Sequence, residues 1–524
     1  MGRAATRGIT FGLVVLLTLQ GVAMAASSTE DAPRVRAPDF TGADAWLNTD
    51  GDKPLSIKDL KGQVVLLDFW TYCCINCMHV FPNLHYLEQK YKGQPVVVIG
   101  VHSGKFDQEK DADHIRQAIL RHNITHPVAV DSEYKIWNAY GVQAWPTLIL
   151  IDPDGYAVAG WSGEGKRDRI DQKISQLLQE GRAKGTLAKP MHFRAERDSF
   201  KSGVLEFPGK VLADSASSRL FISDTTHNRV LVSDLSGKVA KIIGSGATGS
   251  KGGSFSQAEF HQPQGLALSA DGKTLFIADT ENHALRAADL ERGTVTTIAG
   301  TGQQARQFPD NSIAKTTPLT SPWDLARVGT KLYIAMAGIH QIWVMDLATA
   351  RISIFAGTGR EGAVDGNNLE AGFAQPSGLA TDGSHLAVAD SESSSIRSVD
   401  LTPEGQTRTI AGSGQLFGFG RRDGEGRQAT FQHPLGVALS GGTLYVADTF
   451  NNLIRKIDLK TGTVTTWLGS GATDAGSDAA PNLYEPGGLS VAGSTLYVAD
   501  TNHHRILAVD VATKKARVLK IDLP

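Results

Sequence analysis

From about residue 204 to the C-terminus one phrase recurs. It opens on Pro-x-Gly, runs through a short apolar stretch to Ala-Asp-Thr, and turns. A second stretch ends in Asp-Leu and a third closes on Ala-Gly-x-Gly. Two copies read GLALSADGKTLFIADTENHALRAADLERGTVTTIAGTG from Gly265 and GVALSGGTLYVADTFNNLIRKIDLKTGTVTTWLGSG from Gly436. Pro208, Pro263, Pro322, Pro376, Pro434 and Pro486 mark the phase, at gaps of 55, 59, 54, 58 and 52 residues. The Ala-Asp position keeps the same count at Asp224, Asp279, Asp390, Asp448 and Asp500, with Met336 in the third copy. Each copy holds four short β-rich runs. A lone four-stranded sheet leaves its edges and a face uncovered, so six in series are expected to close radially into a six-bladed β-propeller. Each blade reads as complete within its own copy, Arg517–Ile521 ending the last. Met191–Leu205 is the remaining candidate for a shared closing strand.

The 524 residues exceed one ordinary domain, and residues 37–182 have a different grammar. Val64–Trp70 and Pro95–Val101 are nearly continuous β-branched runs, as expected of strands buried on both faces. Pro127–Val130, Thr147–Ile151 and Ala157–Ser162 read as further strands. Val80, Leu84, Leu87 and Tyr91 share one helix face, and Asp107–Arg121 and Lys166–Leu178 also read as helices. These alternate into a small α/β domain. Residues 183–203 are polar and aperiodic, and read as a linker to the propeller at 204–524.

The first 25 residues read as an address. Arg3 and Arg7 precede an apolar run from Ile9 to Leu19, and small residues at Ala23 and Ala25 set a cleavage site after Ala25. The run is short for a membrane span, and no later run approaches one. The expectation is a cleaved signal peptide and a periplasmic or secreted chain with no membrane span after cleavage. Disulfide chemistry is permitted there.

Lys and Arg total 52 against 54 Asp and Glu, and from Val204 onward 28 against 31. No basic excess marks a phosphate-binding face, so a nucleic-acid partner is not expected. All three cysteines lie within five residues, which excludes a disulfide-stapled scaffold.

Those cysteines carry the chemistry. Asp68-Phe69-Trp70-Thr71-Tyr72-Cys73-Cys74-Ile75-Asn76-Cys77 places Cys74 and Cys77 at the exit of a buried strand and the entry of a helix. Unpaired amides at a helix start favour a thiolate on Cys74, and Cys77 stands one turn on, placed to resolve a mixed disulfide. Asp68 ends the strand beneath the pair, where a buried carboxylate can pass protons to and from Cys77.

Here the sequence resembles the thioredoxin superfamily, over about 145 residues. Phe-Trp-x-x-x-Cys-x-x-Cys is that family's active-site phrase. Asp68 matches its buried acid, Pro82 its helix-kinking proline, and Trp145-Pro146-Thr147 its cis-proline loop. The resemblance implies that Trp145 and Pro146 position substrate. Asp113–Arg121 resembles the extra helix of the TlpA-like branch. Asn282-His283-Ala284-Leu285 and Asn451-Asn452-Leu453-Ile454 resemble NHL repeats. The whole is similar to NHL-repeat-containing proteins with an N-terminal thioredoxin-like domain. The implied fold is an α/β thioredoxin-like domain followed by an all-β six-bladed NHL-type propeller.

Several residues depart from the family pattern. Ile75-Asn76 stand where Gly-Pro is usual between the cysteines, which leaves the direction of electron flow open. Cys73 stands where Trp is common and is an auxiliary thiol: inert, or partner in an alternative bridge with Cys77. Cys73-x-x-x-Cys77 has the spacing of copper carriers of this fold, but those need a distant His near the site, and the loop offers Trp145. Cys73, Cys74, Cys77 and His79 lie on one turn, too close in sequence to wrap a zinc ion. Met78 stands where haem attachment needs His. His283, His340, His503 and His504 recur near one blade position, but Ser394 and Asn452 interrupt any ring of metal ligands. No metal or other cofactor is expected.

Two functions fit. The first is a thiol–disulfide oxidoreductase, with Cys74 as nucleophile, Cys77 resolving, Asp68 moving protons, and the propeller as a docking platform. Its partners are a protein or small-molecule disulfide or dithiol client and an unidentified electron donor or acceptor. The alternative is a non-catalytic scaffold or binding protein whose thioredoxin-like domain is a redox sensor or structural appendage.

Overall fold

The computed structural model describes residues 35–305, 308–402, 404–477 and 479–524. The signal-peptide assignment lies outside the described residues.

The apolar runs of the N-terminal half build a seven-stranded sheet. Its strands are β1 (Val35–Arg36), β2 (Ala45–Leu47), β3 (Val64–Trp70), β4 (Val96–His102), β5 (Val128–Val130), β6 (Thr147–Ile151) and β7 (Tyr156–Ser162). Their order is β1-β7-β6-β3-β4-β5-β2. β3, β4 and β5 run parallel and β6 is antiparallel to β3, so β3 is central and buried at every residue. The helices are α1 (Ile75–Met78), α2 (Phe81–Lys90), α3 (Ala112–Arg121), α4 (Lys135–Ala139) and α5 (Arg167–Lys184). Val80, Leu84, Leu87 and Tyr91 pack with Val64, Leu66 and α5 residues Ile170 and Ile174 on one face of the sheet. The opposite face, with Leu67, Phe69, Ile99 and Val101, is closed by Trp46, Ile136 and Trp137. Sequence reading passed over β1, β2 and α4, which are too short to show a period. A short 3-10 turn, Glu196–Asp198, interrupts the stretch between α5 and the propeller.

The second half is a propeller of six antiparallel sheets, with inner strands Val211–Asp214, Pro263–Leu268, Pro322–Val328, Pro376–Thr381, Gly436–Ser440 and Pro486–Ala492. Each blade draws its four main strands from its own repeat. Arg505–Asp510 pairs with Ala516–Val518 in blade six, and Met191–Leu205 supplies no strand. The ring closes where the inner strand of blade six meets that of blade one and where Asp522 bridges Lys238.

Close approach at the axis explains the Pro-x-Gly signature. A Cβ on Gly488 would lie 2.7 Å from Lys210 Cα, and one on Gly436 2.8 Å from Gly487 O. Lys210 and Asp324 occupy this position in blades one and three, and the two side chains meet in the centre. Lys210 Nζ is 3.2 Å from Asp324 Oδ2 and donates to Ser377 O and Leu435 O.

The repeated aspartates cap backbone within each blade. Asp279 Oδ1, for example, accepts from His261 N at 2.8 Å, and its Oδ2 pairs with the buried Arg286. Blade three replaces this Asp–Arg pair with Met336 and Trp343, both fully buried. Two apolar side chains fill the space of an ion pair there without a charge to satisfy.

Candidate functional site at the domain seam

β3 delivers Asp68 and Trp70 under the cysteine loop, and Cys74 is the N-cap of α1. The helix breaks after Met78 and restarts at α2, where Pro82 fits because a first-turn N–H has no helical acceptor. Cys74 and Cys77 are free thiols hydrogen-bonded to each other. Burial, the bond from Cys74 and the charge of Asp68 push the Cys77 thiol well up. Asp68 is buried with neither carboxylate oxygen paired among the described residues, and burial raises it to about 7. The Trp145–Pro146 bond is cis. Trp145 packs on the cluster that holds all three cysteines, its indole N–H donating to Ser103 O at 2.9 Å.

Cys73 points into a second polar cluster that sequence reading missed. Its backbone N–H donates to Glu109 Oε1 at 2.8 Å, and its Sγ is 3.8 Å from Glu392 Oε1 on blade four. Glu392 pairs with Lys105 at 2.8 Å. Burial and the charges of Glu109 and Glu392 push the Cys73 thiol well up. His79 turns both ring nitrogens away from the thiols, to Glu164 and Ser321, each at 2.7 Å.

The propeller closes over this loop. Every blade presents one residue to the thioredoxin-like domain, and in each case it directly precedes the phase-marking proline. Phe207 lies under the Arg121 guanidinium, 5.9 Å from ring centre to Cζ. Gln262 donates to Arg121 O, and Ser321 bonds His79. Gln375 accepts from Ile75 N and donates to Cys73 O, both at 2.9 Å. His433 packs edge-on against Phe106. Glu485 holds Tyr72, His114 and Arg121, with Arg121 at 2.9 Å. Burial drives Glu485 up, but Arg121 and His114 outweigh it and hold the carboxyl at about 2. Cys74 is left 4% exposed. The one sequence signal for this ring was its position before each proline, where five different residue types stand.

All six ring residues have positive φ, from 45° to 62°, and their N–H groups are held by the preceding blade. Asn228, His283, His340, Ser394, Asn452 and His504 accept these bonds at 2.9–3.2 Å. The recurring histidines thus couple blades. Burial lowers His283 to about 3 and His504 to about 4, keeping Nδ1 an acceptor. His503 bonds Asp500 instead.

Comparison with known proteins agrees with this architecture. Residues 62–157 match a family model described as thioredoxin-like. NHL repeat-containing protein 2 of Bos taurus is 41% identical over 524 residues, covering 92% of this chain and 71% of that protein. The chain belongs to the NHL repeat-containing family that carries a thioredoxin-like domain. In this family's plant relative, Protein SUPPRESSOR OF QUENCHING 1, chloroplastic, of Arabidopsis thaliana, identity is 43% over 90% of this chain. The chain spans only 46% of that relative's length. The thioredoxin-like half alone is similar to the thiol-disulfide oxidoreductase ResA of Bacillus anthracis, 31% identical over 24% of this chain and 69% of ResA. Among the described residues no helix is long and apolar enough to cross a membrane.

Proposed function

We propose that the chain is a thiol–disulfide oxidoreductase whose Cys74–Cys77 pair works inside the seam between its two domains. The observation that carries this reading is the assembly of Cys74 at a helix start, Cys77 bonded to it, and the unpaired carboxyl of Asp68 below. Cys74 attacks a disulfide, Cys77 releases the product, and Asp68 takes the Cys77 proton. Trp145, which packs on the cysteine cluster, and Pro146 beside it position the client. The propeller, first expected to dock a client, uses its ring for the protein's own catalytic loop. Access therefore requires a small thiol or disulfide, or a client protein that displaces the ring. An outside electron donor or acceptor completes the cycle.

Burial of all three thiols supports a second reading, a binding protein whose seam senses redox state. One experiment separates them. The full chain is equilibrated in graded dithiothreitol, alkylated, and its blocked thiols counted by mass. A reversible Cys74–Cys77 couple with Cys73 free, and turnover lost in Cys74→Ser, is expected of the oxidoreductase. No reversible couple, or activity retained in Cys74→Ser, overturns it.

A periplasmic or secreted location is part of the proposal, because a stable dithiol–disulfide cycle suits an oxidising compartment. N-terminal sequencing of the protein from its native host is expected to begin at Ala26; retention of Met1 in the cytosolic fraction overturns it.

A further inference from the structure

Five buried polar atoms around Cys77 have no partner among the described residues: both carboxylate oxygens of Asp68, Trp70 Nε1, His102 Nδ1 and His126 Nε2. Two of them, Trp70 Nε1 and His126 Nε2, lie against one glycine beside Asp68. Asp68 and Gly100 are register partners on parallel β3 and β4, so they face the same side of the sheet. A Cβ on Gly100 would lie 2.8 Å from Trp70 Nε1 and 3.5 Å from His126 Nε2. The missing side chain lets the Trp70 indole and the His126 ring, with Val128 Cγ2 at 3.2 Å, close over β4 next to Asp68. Buried polar atoms grouped without a protein partner are the surroundings in which proteins hold an ordered water.

The other ring nitrogen of His126 leads outward. Nδ1 is 3.1 Å from Glu88 Oε1, and the Glu88 side chain is 22% exposed against 6% for His126. Both residues line a cleft of about 470 Å³ along the domain seam, with His85, His122 and Arg197. Inward, Asp68 lies near enough to act on Cys77, and His126 lies near Asp68. The propeller ring covers the opposite side of the thiols. A proton leaving Cys77 therefore has its open route through the sheet side.

We propose that Asp68, His126 and Glu88 form a proton relay from Cys77 to this lateral cleft, with a water over Gly100 joining Asp68 to His126 Nε2. The relay rests on the oxidoreductase reading. In the reducing direction the Cys74 thiolate attacks a small disulfide RSSR. The S–S bond breaks, Cys74–SR forms and RS⁻ leaves. Cys77–SH gives its proton to the Asp68 carboxylate, and its thiolate attacks Cys74 Sγ, forming the Cys74–Cys77 bond and expelling the second RS⁻. Two electrons have passed from the dithiol to RSSR. The proton on Asp68 passes through the water to His126 Nε2, as the Nδ1 proton moves to Glu88 and on to the cleft. Reduction by an external dithiol runs the path backward.

Burial raises Asp68 to about 7, so it can exchange its proton near neutral pH. The other groups on this side are Cys77, held protonated, and His102 and His122, each pushed down to about 3 by burial and so neutral, with His85, His261, Glu281, Arg121 and Arg197 on the walls of the cleft. His126 and Glu88 are thus the groups that continue the path.

The test uses the full-length reduced protein and glutathione disulfide, with acid quenching and mass detection of the mixed and internal disulfides. Glu88→Gln and His126→Asn are expected to slow conversion of the mixed disulfide by about tenfold or more at pH 7, and to flatten its pH profile. The first attack by Cys74 and the dithiothreitol equilibrium stay unchanged. Glu88→Gln keeps the test decisive if His126→Asn fails to fold, since Glu88 lies toward the surface. A Glu88→Gln rate and pH profile equal to wild type overturn the relay while leaving the oxidoreductase standing. A wild-type chain with no reversible couple overturns both.

Discussion

The side-chain amide of Gln375, on blade four, accepts a 2.9 Å hydrogen bond from the backbone N–H of Ile75, the residue that follows Cys74. The same amide donates to Cys73 O. One glutamine therefore holds the backbone on both sides of Cys74 and ties the propeller to the cysteine loop.

Removing that grip should open the seam. Gln375→Ala leaves the buried Ile75 N–H and Cys73 O unpaired, at a cost of about 1–3 kcal/mol for each group so exposed. Iodoacetamide should then label Cys74 faster in the native variant than in wild type. Equal labelling rates would show that the ring does not control access.

Asp68→Asn should stabilise the protein at high pH. The folded carboxyl titrates at about 7, above its ordinary 3.8, because burial disfavours the charge. The unfolded chain ionises first as pH rises, so this group costs stability progressively between about pH 4 and 7 and fully above it. The gain from Asn is about 4 kcal/mol at pH 8, as an upper bound, and vanishes below pH 4. Thermal melts of both proteins at pH 4 and pH 8 check this, alongside the expected loss of resolving rate.

Cys73→Ser should leave the Cys74–Cys77 couple in place. Burial beside Glu109 and Glu392 keeps the Cys73 thiol protonated, and the thiolate is the reacting form. The dithiothreitol titration of Cys73→Ser should match wild type. A shifted or absent couple would make Cys73 a participant.

The ion pair on the propeller axis gives a fourth test. Lys210→Ala leaves Asp324 charged in the buried centre and should cost about 3–5 kcal/mol. The double change Lys210→Gly and Asp324→Gly copies the residue found in the other four blades, and should cost less than the single change. Denaturant melts of the two variants decide it.

Much of this was legible along the chain. The repeat phase, the strand Val64–Trp70 and the Cys74–Cys77 pair over Asp68 all follow from local spacing, since period, β-branching and motif act within a few residues. Even the anomaly at Met336 was visible, though not that Trp343 shares its buried cluster, because that cluster forms only when the strands pair. The docking ring was hidden for the same reason. Phe207, Gln262, Ser321, Gln375, His433 and Glu485 share no common residue type beyond two glutamines, only a place before a proline, and they meet the cysteine loop solely because six blades converge on one axis. The sequence by itself determined where the three cysteines stand relative to Asp68 and that six sheets must close. Only the tertiary structure decided that the closed ring covers the loop and brings Cys73 to Glu392. Those contacts link residues tens to hundreds of positions apart, where no local pattern acts.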